Sequence, residues 1–300
     1  MKKILVIAGG GKKHLVPFAE EGKKMGLDVM IASFSDLNYV TENEFVLKVG
    51  DTPLDDFEII YIRLVGKRFE DASLLVDYAK QKGIKVVDEA YEKSRFVRLP
   101  IAKSLEGKLL YEGGIPFPKT YYGSLENICD NAPKIFGYPF VIKGTQGKQG
   151  NAVWSPKDEE KLRKITEPLF EIEEKGGRFI AQEFIKASQR FRIFVIGDAA
   201  VAGITRPTRW RRRFIKKIGG KFPEGERRSL DPIPEEDAKI AVNACKALGI
   251  NIAGVDVIHE DETGKPYILE VNSAPRWDSV SKDNGIVVEK EILKYLIFLH

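Results

Sequence analysis

The sequence predicts an α/β protein in which a doubly wound parallel-sheet domain is followed by two α+β units. Short apolar strands alternate with helices over the first hundred residues, and this β-α-β order is typical of a parallel sheet. Further along, a strand runs into a glycine-rich turn, and near the C-terminus two strands form a hairpin that carries acidic residues. We therefore predict three domains, with the boundaries 1–98, 99–177 and 178–300.

The first domain is predicted from the order of its apolar and amphipathic segments. Gly26 and Gly83 end its two expected helices. Three consecutive glycines at 9–11 follow the first strand but lack the spacing of a dinucleotide-binding motif, so a tight turn is the favoured interpretation. The expected strands span 4–8, 29–32, 59–63 and 85–87, and the expected helices span 15–25 and 72–82.

The composition is that of a globular protein without a membrane span. Of 300 residues, 43% are hydrophobic and 31% charged, and the net charge of +4 is too small to mark the whole chain as a nucleic-acid binder. The two distant cysteines, Cys129 and Cys245, favour reduced thiols and a cytoplasmic location, and only three histidines are present. The apolar runs near both ends are too short to cross a bilayer.

Two carboxylates are predicted to face each other in the C-terminal hairpin. The polar turn at 262–264 places Asp256 opposite Glu270, with Asn272 two residues further along the same face. Opposed carboxylates need a cation between them, and their oxygens suit Mg²⁺ or Mn²⁺ and not zinc. Two exposed acids on a solvated sheet are the alternative. The alternate residues are expected to face the core: Val255, Val257, Leu269 and Val271.

The segment 139–153 is predicted to form a strand, a glycine-rich turn that could bind phosphate, and a second strand. Lys143 ends the strand before the turn and supplies a positive charge, and the glycines allow backbone amides to face a polyphosphate. It is not a Walker loop, because no Gly-Lys-Ser/Thr precedes a helix, and a glycine hairpin beside an ordinary lysine is the alternative. The strand at 179–185 ends in an acid and an aromatic residue that could meet ribose and a purine edge. An ordinary core strand is the alternative there.

Taken in order, these segments resemble the ATP-grasp superfamily and, within it, the RimK-like carboxylate–amine ligases. The resemblance rests on 182–186, 253–258, 269–275 and the stretch 277–286 that follows. It implies two α+β units that clasp ATP, with Mg²⁺ (or Mn²⁺) as the second cofactor. It also implies an ADP-forming ligase of the acid–amino-acid type, which makes an amide or peptide bond through an acyl phosphate.

The resemblance also implies roles for individual residues. Nucleotide binding is assigned to Lys103, Lys143, Gln149, Gly150, Glu183, Phe184, Ile185 and Arg190, although relatives often carry an acid at the position of Arg190. Metal binding is assigned to Asp256, Glu270 and Asn272. Positive charge near the γ-phosphate or acyl phosphate is assigned to Arg192 and Arg206, for which a surface salt bridge is the alternative. The substrate site is assigned to Arg63, Arg211, Arg213 and Arg276.

The substrate is expected to be acidic. Basic residues crowd the segment 206–228, and arginine binds carboxylates through two parallel hydrogen bonds, so a glutamate-like molecule or an acidic peptide would fit. A solvated loop is the alternative. This segment departs from its relatives, and so does Arg276-Trp277, which replaces the usual glycine and changes the wall of the substrate pocket.

Two competing functions are retained. One is an ATP-binding regulatory protein of the same fold, which the complete set Asp256, Glu270 and Asn272 disfavours. The other, less favoured, is a nucleic-acid-binding protein that uses the basic segment 206–228, because the rest of the chain is neutral or acidic and contains no known nucleic-acid module. The expected partners are a small-molecule or acidic peptide substrate. No membrane is expected, and self-association as a homo-oligomer is left open.

Overall fold

The computed structural model describes residues 2–39, 45–93, 101–145, 152–207 and 229–299. Within these ranges the strands form three four-stranded sheets and one small three-stranded sheet. The strands are β1 Lys3–Ala8, β2 Asp28–Ser33, β3 Leu37–Asn38, β4 Lys48–Val49, β5 Thr52–Pro53, β6 Ile59–Leu64, β7 Lys85–Val87, β8 Thr120–Gly123, β9 Phe140–Gly144, β10 Val153–Trp154, β11 Phe179–Glu183, β12 Gln189–Ile196, β13 Ala199–Pro207, β14 Ile252–His259 and β15 Pro266–Asn272. The α-helices are α1 Val16–Lys24, α2 Phe69–Gln81, α3 Ala90–Lys93, α4 Lys103–Glu112, α5 Leu125–Phe136, α6 Glu159–Glu174, α7 Glu235–Leu248, α8 Asp278–Asn284 and α9 Val288–Phe298.

The first sheet is parallel, as the sequence predicts. Its strand order is β2-β1-β6-β7, and β1 pairs in parallel with both β2 and β6. The apolar side chains of β1 are buried on both faces, which explains why this strand reads as a continuous hydrophobic run. Helix α1 has a proline in its first turn, and α2 begins at Phe69, earlier than the predicted Ala72. The α/β fold class is confirmed.

The second sheet is antiparallel, with the order β10-β9-β11-β8. Helices α5 and α6 pack against each other beside it, and their first turns are capped by the side chains of Ser124 and Asp158. Because β11 pairs with both β8 and β9, it belongs to this sheet. We therefore propose a domain boundary after Glu183 instead of the predicted boundary at 177/178. The predicted boundary at 98/99 lies outside the described residues.

The third sheet is antiparallel, with the order β13-β12-β14-β15. The register of β14 and β15 shifts between Asp256 and Val257, where β15 has one extra residue. Val257 consequently pairs with Ile268, and Ile268 packs into the core in place of the predicted Leu269. Leu269 instead lines a cleft, so its core assignment was wrong, whereas the three predicted valines of the hairpin are buried.

The first and third sheets share their hydrophobic cores. One cluster joins Leu5 and Ile7 of β1 to Val255 and Val257 of β14, and a second joins Ile4 and other residues of β1 to helix α9. The second sheet has a separate core that α5 and α6 complete. The first and third units are therefore packed as one body, and Leu110 and Ile115 of the middle unit join the first of these clusters. Only the second sheet with α5 and α6 is held by apolar contacts of its own.

No helix in the described ranges combines the length and hydropathy that a membrane span requires. The two apolar runs near the chain ends form β1 and α9. Cys129 and Cys245 are free thiols within α5 and α7. A cytoplasmic location stays a prediction from cysteine usage.

Candidate functional site

An open cleft lies between the second and third sheets. Its empty space, including the part open to solvent, is about 1110 Å³, and β9, β11, β12, β14 and β15 all contribute to its walls. The segment that leaves β11 crosses from one sheet to the other and supplies Phe184 and Ile185 to the lining. The second sheet, which has its own core, thus meets the third sheet over one cavity, and this arrangement suits a ligand bound between domains.

Asp256 and Glu270 face each other across β14 and β15 at one side of this cleft. Their register is the one that the sequence predicts, and Asn272 pairs with Gly254 one step along the same face. Glycine is required at 254, because a Cβ there would lie 2.8 Å from the Cβ of Pro275. The chain after Asn272 can therefore fold back closely over β14.

Two arginines of β12 bind Asp256. Arg192 donates through Nε and Nη2 to the two carboxylate oxygens, at 2.7 and 2.8 Å, and Nη1 of Arg190 lies 3.5 Å from Oδ2. Asp256 is only 2% exposed, so its charge would be costly without such partners. Burial lowers the pKa of Arg192, but the Asp256 carboxylate outweighs that effect and raises it.

Lys103, at the start of α4, bridges two acids. Its Nζ lies 3.1 Å from Glu270 Oε1 and 3.8 Å from Glu106 Oε2. Burial lowers the pKa of Lys103, yet these two carboxylates together raise it above its ordinary value. The lysine is thus positively charged and lies next to Glu270 of the acidic pair.

Lys143, on β9, is placed differently. Among the described residues, no carboxylate lies within ion-pair distance of its Nζ, although the side chain lines the cleft. Desolvation and the charge of nearby Lys103 lower the pKa of Lys143 to about 8. A cation that is poorly compensated and pointed into a cleft is suited to meet an anionic ligand.

The acidic pair fits a hard divalent cation. Across the described residues, no cluster of three His, Cys, Asp or Glu side chains is arranged for metal binding, so the site depends on two carboxylates and one amide. The amide nitrogen of Asn272 donates to the carbonyl of Gly254 at 3.4 Å, and its oxygen is the atom that a metal would use. This set of oxygen donors suits Mg²⁺.

Gln182 and Glu183, the last two residues of β11, are held by hydrogen bonds to the segment 118–120. Glu183 Oε1 accepts from the backbone N–H of Lys119 at 2.7 Å. Thr120 Oγ1 donates to the carbonyl of Pro118, so it must accept from Gln182 Nε2, at 2.7 Å. This network orients the Gln182 amide and leaves Oε1 as a buried acceptor with no hydrogen-bond partner in the described part of the chain.

The other assigned residues lie apart from this cluster or outside the described ranges. Arg63 donates through Nη2 to the carbonyl of Pro275 at 2.5 Å, and its guanidinium carbon lies 4.0 Å from the centroid of Trp277. Arg276 is exposed beside them, and the backbone of Arg206 pairs with Arg190. The assignments of Gln149, Gly150, Arg211 and Arg213, and of positions 208–228 of the basic segment, fall on residues outside the described ranges. The roles assigned to all these residues stay predictions.

A family model supports the resemblance that the sequence motifs suggest. The model of the RimK-like ATP-grasp domain matches residues 102–296, about two thirds of the chain. The chain belongs to the RimK-like ATP-grasp family. This is a family of ligases, and the matched residues include both walls of the cleft.

Two curated proteins are similar to this RimK-like chain. Probable alpha-L-glutamate ligase of Legionella pneumophila (strain Corby) is 28% identical over 281 residues, which cover 92% of this chain and 88% of the relative. Probable alpha-L-glutamate ligase 1 of Shewanella sp. (strain MR-4) is 33% identical over 193 residues, which cover 63% of this chain and 60% of the relative.

Two solved structures share the RimK-like fold. ATP-grasp ligase PsnB, complexed with a phosphomimetic variant of its minimal precursor, Mg and ADP, has a TM-score of 0.70 at 15% identity, with 99% of this chain and 98% of that chain covered. A RimK domain protein from Sphaerobacter thermophilus has a TM-score of 0.69 at 18% identity, with 98% and 99% covered. At these identities the likeness establishes the fold alone.

Two residues of the RimK-like site were missed by the sequence analysis. Glu106 has a local signal, because it follows Lys103 by three positions on one helix and must share its face. Gln182 has a weaker signal, as a polar residue that directly follows the apolar run 179–181 of β11. Neither signal specifies the contact with a distant segment, which is Val271 for Glu106 and Thr120 for Gln182.

Proposed function

We propose that this protein is an ATP-dependent carboxylate–amine ligase that forms an amide or peptide bond through an acyl phosphate, with an acidic substrate. The observation that carries the proposal is the convergence of Lys103, Lys143, Asp256 and Glu270 on one cleft. Lysines suit the phosphates of ATP, and the acidic pair suits the magnesium that accompanies them. The complex of PsnB with Mg and ADP supports the same pair of ligands.

The expected reaction needs no side-chain nucleophile. A carboxylate oxygen of the substrate attacks the γ-phosphorus, the bond from that phosphorus to the bridging oxygen breaks, and ADP leaves. The amine nitrogen then attacks the acyl carbon, the carbon–oxygen bond to phosphate breaks, and a proton passes to solvent. When bound, Mg²⁺ supplies neutralisation of the phosphate charge.

The chain's own residues would position and stabilise these groups. Lys143 and Lys103 would hold the phosphates, and the Glu183–Ile185 crossover would hold the nucleoside at the other end of the cleft. Arg192 would keep Asp256 ionised and oriented through two hydrogen bonds. Arg190, which also approaches Asp256, would add positive charge next to the nucleotide.

An acidic substrate is supported by the names of the relatives. The two curated relatives are called probable alpha-L-glutamate ligases. The basic residues of 206–228 would provide the matching charge. The acidic substrate could also be a peptide. This form is supported by the PsnB structure, which was solved with a variant of its minimal precursor.

The proposal is tested by measuring ADP and phosphate release with Mg-ATP. Glutamate, aspartate and short acidic peptides should support release when an amine is present, and matched glutamine, asparagine and neutral peptides should not. When hydroxylamine replaces the amine in the presence of Mg-ATP and the carboxylate, a hydroxamate should accumulate, because hydroxylamine traps an acyl phosphate. Nucleotide binding without any substrate-dependent release would instead favour the regulatory protein.

Base selectivity is a separate expected result. Gln182 Oε1 is a buried acceptor in the cleft, and the exocyclic amine of adenine is a donor, whereas O6 of guanine is an acceptor. We expect ATP to bind at least about tenfold more tightly than GTP, because an acceptor facing an acceptor stays unsatisfied. Titration calorimetry with both nucleotides checks this.

Gln182→Leu is the variant that isolates the side-chain amide. It should weaken ATP binding and reduce the preference for ATP over GTP. Gln189 is an exposed glutamine on β12, and Gln189→Leu should leave the dissociation constants for both nucleotides unchanged. Equal binding of both nucleotides by the unaltered protein would contradict this role for Gln182.

A further inference from the structure

Glu106 is a buried acid that none of the assigned roles includes. It lies one turn into α4, on the same helical face as Lys103, and is only 7% exposed. Burial raises the pKa of the Glu106 carboxyl, while the charge of Lys103 and a backbone hydrogen bond lower it in part. An acid in such a place needs specific partners to be tolerated.

One partner is the backbone of the strand that carries the candidate metal ligands. Within the described ranges β15 is the edge strand of its sheet, so no neighbouring strand there accepts hydrogen bonds from the N–H groups on its outer side. The N–H of Val271, between Glu270 and Asn272, donates instead to Glu106 Oε1 at 2.8 Å. Glu106 therefore anchors α4 to β15 directly after Glu270, which lines the cleft.

The second partner is Lys103. Its Nζ is shared between Glu106 Oε2 at 3.8 Å and Glu270 Oε1 at 3.1 Å. If Glu270 turns to a metal ion, Lys103 loses its shorter ion pair and Glu106 becomes its remaining carboxylate. Without Glu106, Glu270 would be the one ion-pair partner of Lys103 within the described residues, and the lysine would compete with the metal for that carboxylate.

We propose that Glu106 is a positioning residue that holds Lys103 and the 270–272 segment in one arrangement, so that Glu270 is available to a metal while Lys103 meets phosphate. This role rests on the proposed ATP- and Mg²⁺-dependent function and deepens it. It couples the metal requirement of nucleotide binding to a residue that contacts neither ligand.

The test is the Mg²⁺ dependence of ADP binding, measured by titration calorimetry over a series of Mg²⁺ concentrations. Glu106→Gln keeps an oxygen that accepts from the N–H of Val271 but removes the charge. The Mg²⁺ concentration that gives half-maximal ADP affinity should therefore rise about tenfold, which corresponds to a loss of about 1.4 kcal/mol in the free energy of Mg²⁺ binding. Glu112→Gln on the exposed side of the same helix, where Glu112 pairs with Lys108, is the matched control and should behave as the unaltered protein.

A double-mutant cycle separates positioning from a general structural effect. In a Lys103→Met background, Glu106→Gln should cause no further change in the Mg²⁺ dependence, because its effect passes through the lysine. An unchanged Mg²⁺ dependence in the single variant, or an equal loss in both backgrounds, overturns the proposal. If Glu106→Gln does not fold, Glu106→Asp keeps the charge on a shorter side chain and should shift the dependence in the same direction, and no shift overturns the proposal. Failure of the unaltered protein to bind Mg-ADP would instead refute the proposed function.

Discussion

Replacing Glu270 by glutamine should lower turnover by at least about a hundredfold while leaving the fold intact. The amide preserves the shape of the side chain but removes the charge that a divalent cation would use. The unliganded protein should tolerate the change, because Lys103 keeps Glu106 as a carboxylate partner and Asp256 keeps its two arginines. The measurement is kcat at saturating ATP, together with the melting temperature.

Glu262→Gln is the matched control for this prediction. Glu262 lies in the turn of the same hairpin, and its side chain is exposed, with Lys186 at 3.8 Å. It should leave both turnover and melting temperature unchanged. An active Glu270→Gln protein would refute the metal assignment. If the two acids merely repel each other, Glu270→Gln would raise the melting temperature and leave turnover as it was.

Nucleotide affinity should fall as the pH rises above about 8. In the free protein the pKa of Lys143 is lowered to about 8, and a bound polyphosphate would raise it by favouring the charged form. Below this pH the lysine is already protonated and affinity is maximal. Above it, binding must take up a proton, so Kd should rise about tenfold per pH unit until the pKa of the complex is reached.

Lys143→Arg and Lys143→Met test this dependence. The arginine variant stays charged, so its Kd for Mg-ATP should be flat between about pH 7.5 and 9.5. The methionine variant should lose most of the rise in melting temperature that Mg-ATP gives the unaltered protein. Lys134→Met, an exposed lysine on the same unit, is the control. A Kd that varies with pH equally in the unaltered protein and the arginine variant would show that another group titrates.

The division of cores has a consequence for how the cleft works. The first and third units share two apolar clusters, whereas the second sheet with α5 and α6 has a core of its own. Lys143 belongs to the middle unit, and Asp256 and Glu270 belong to the third. A ligand that contacts the lysine and the acidic pair together would therefore tie the two bodies to each other.

Local patterns were sufficient to predict the acidic pair and the parallel sheet. Asp256 and Glu270 are joined by one short turn, so their pairing follows from the spacing of the two strands. The same spacing failed at Leu269, because a one-residue bulge is a local adjustment that exchanges the two faces of the strand. The sequence contains no marker for that bulge.

By itself the sequence determined the fold class, the order of the elements and the residue types of the site, because these depend on neighbours along the chain. The tertiary structure decided the pairing of Arg192 with Asp256 and the anchoring of Val271 by Glu106. It also decided that the Gln182 acceptor is buried with no hydrogen-bond partner among the described residues. The first two contacts join segments that are distant in sequence. The burial of the Gln182 acceptor likewise depends on which distant segments surround that side chain. Their geometry is set by how whole sheets and helices pack, and no local pattern records it.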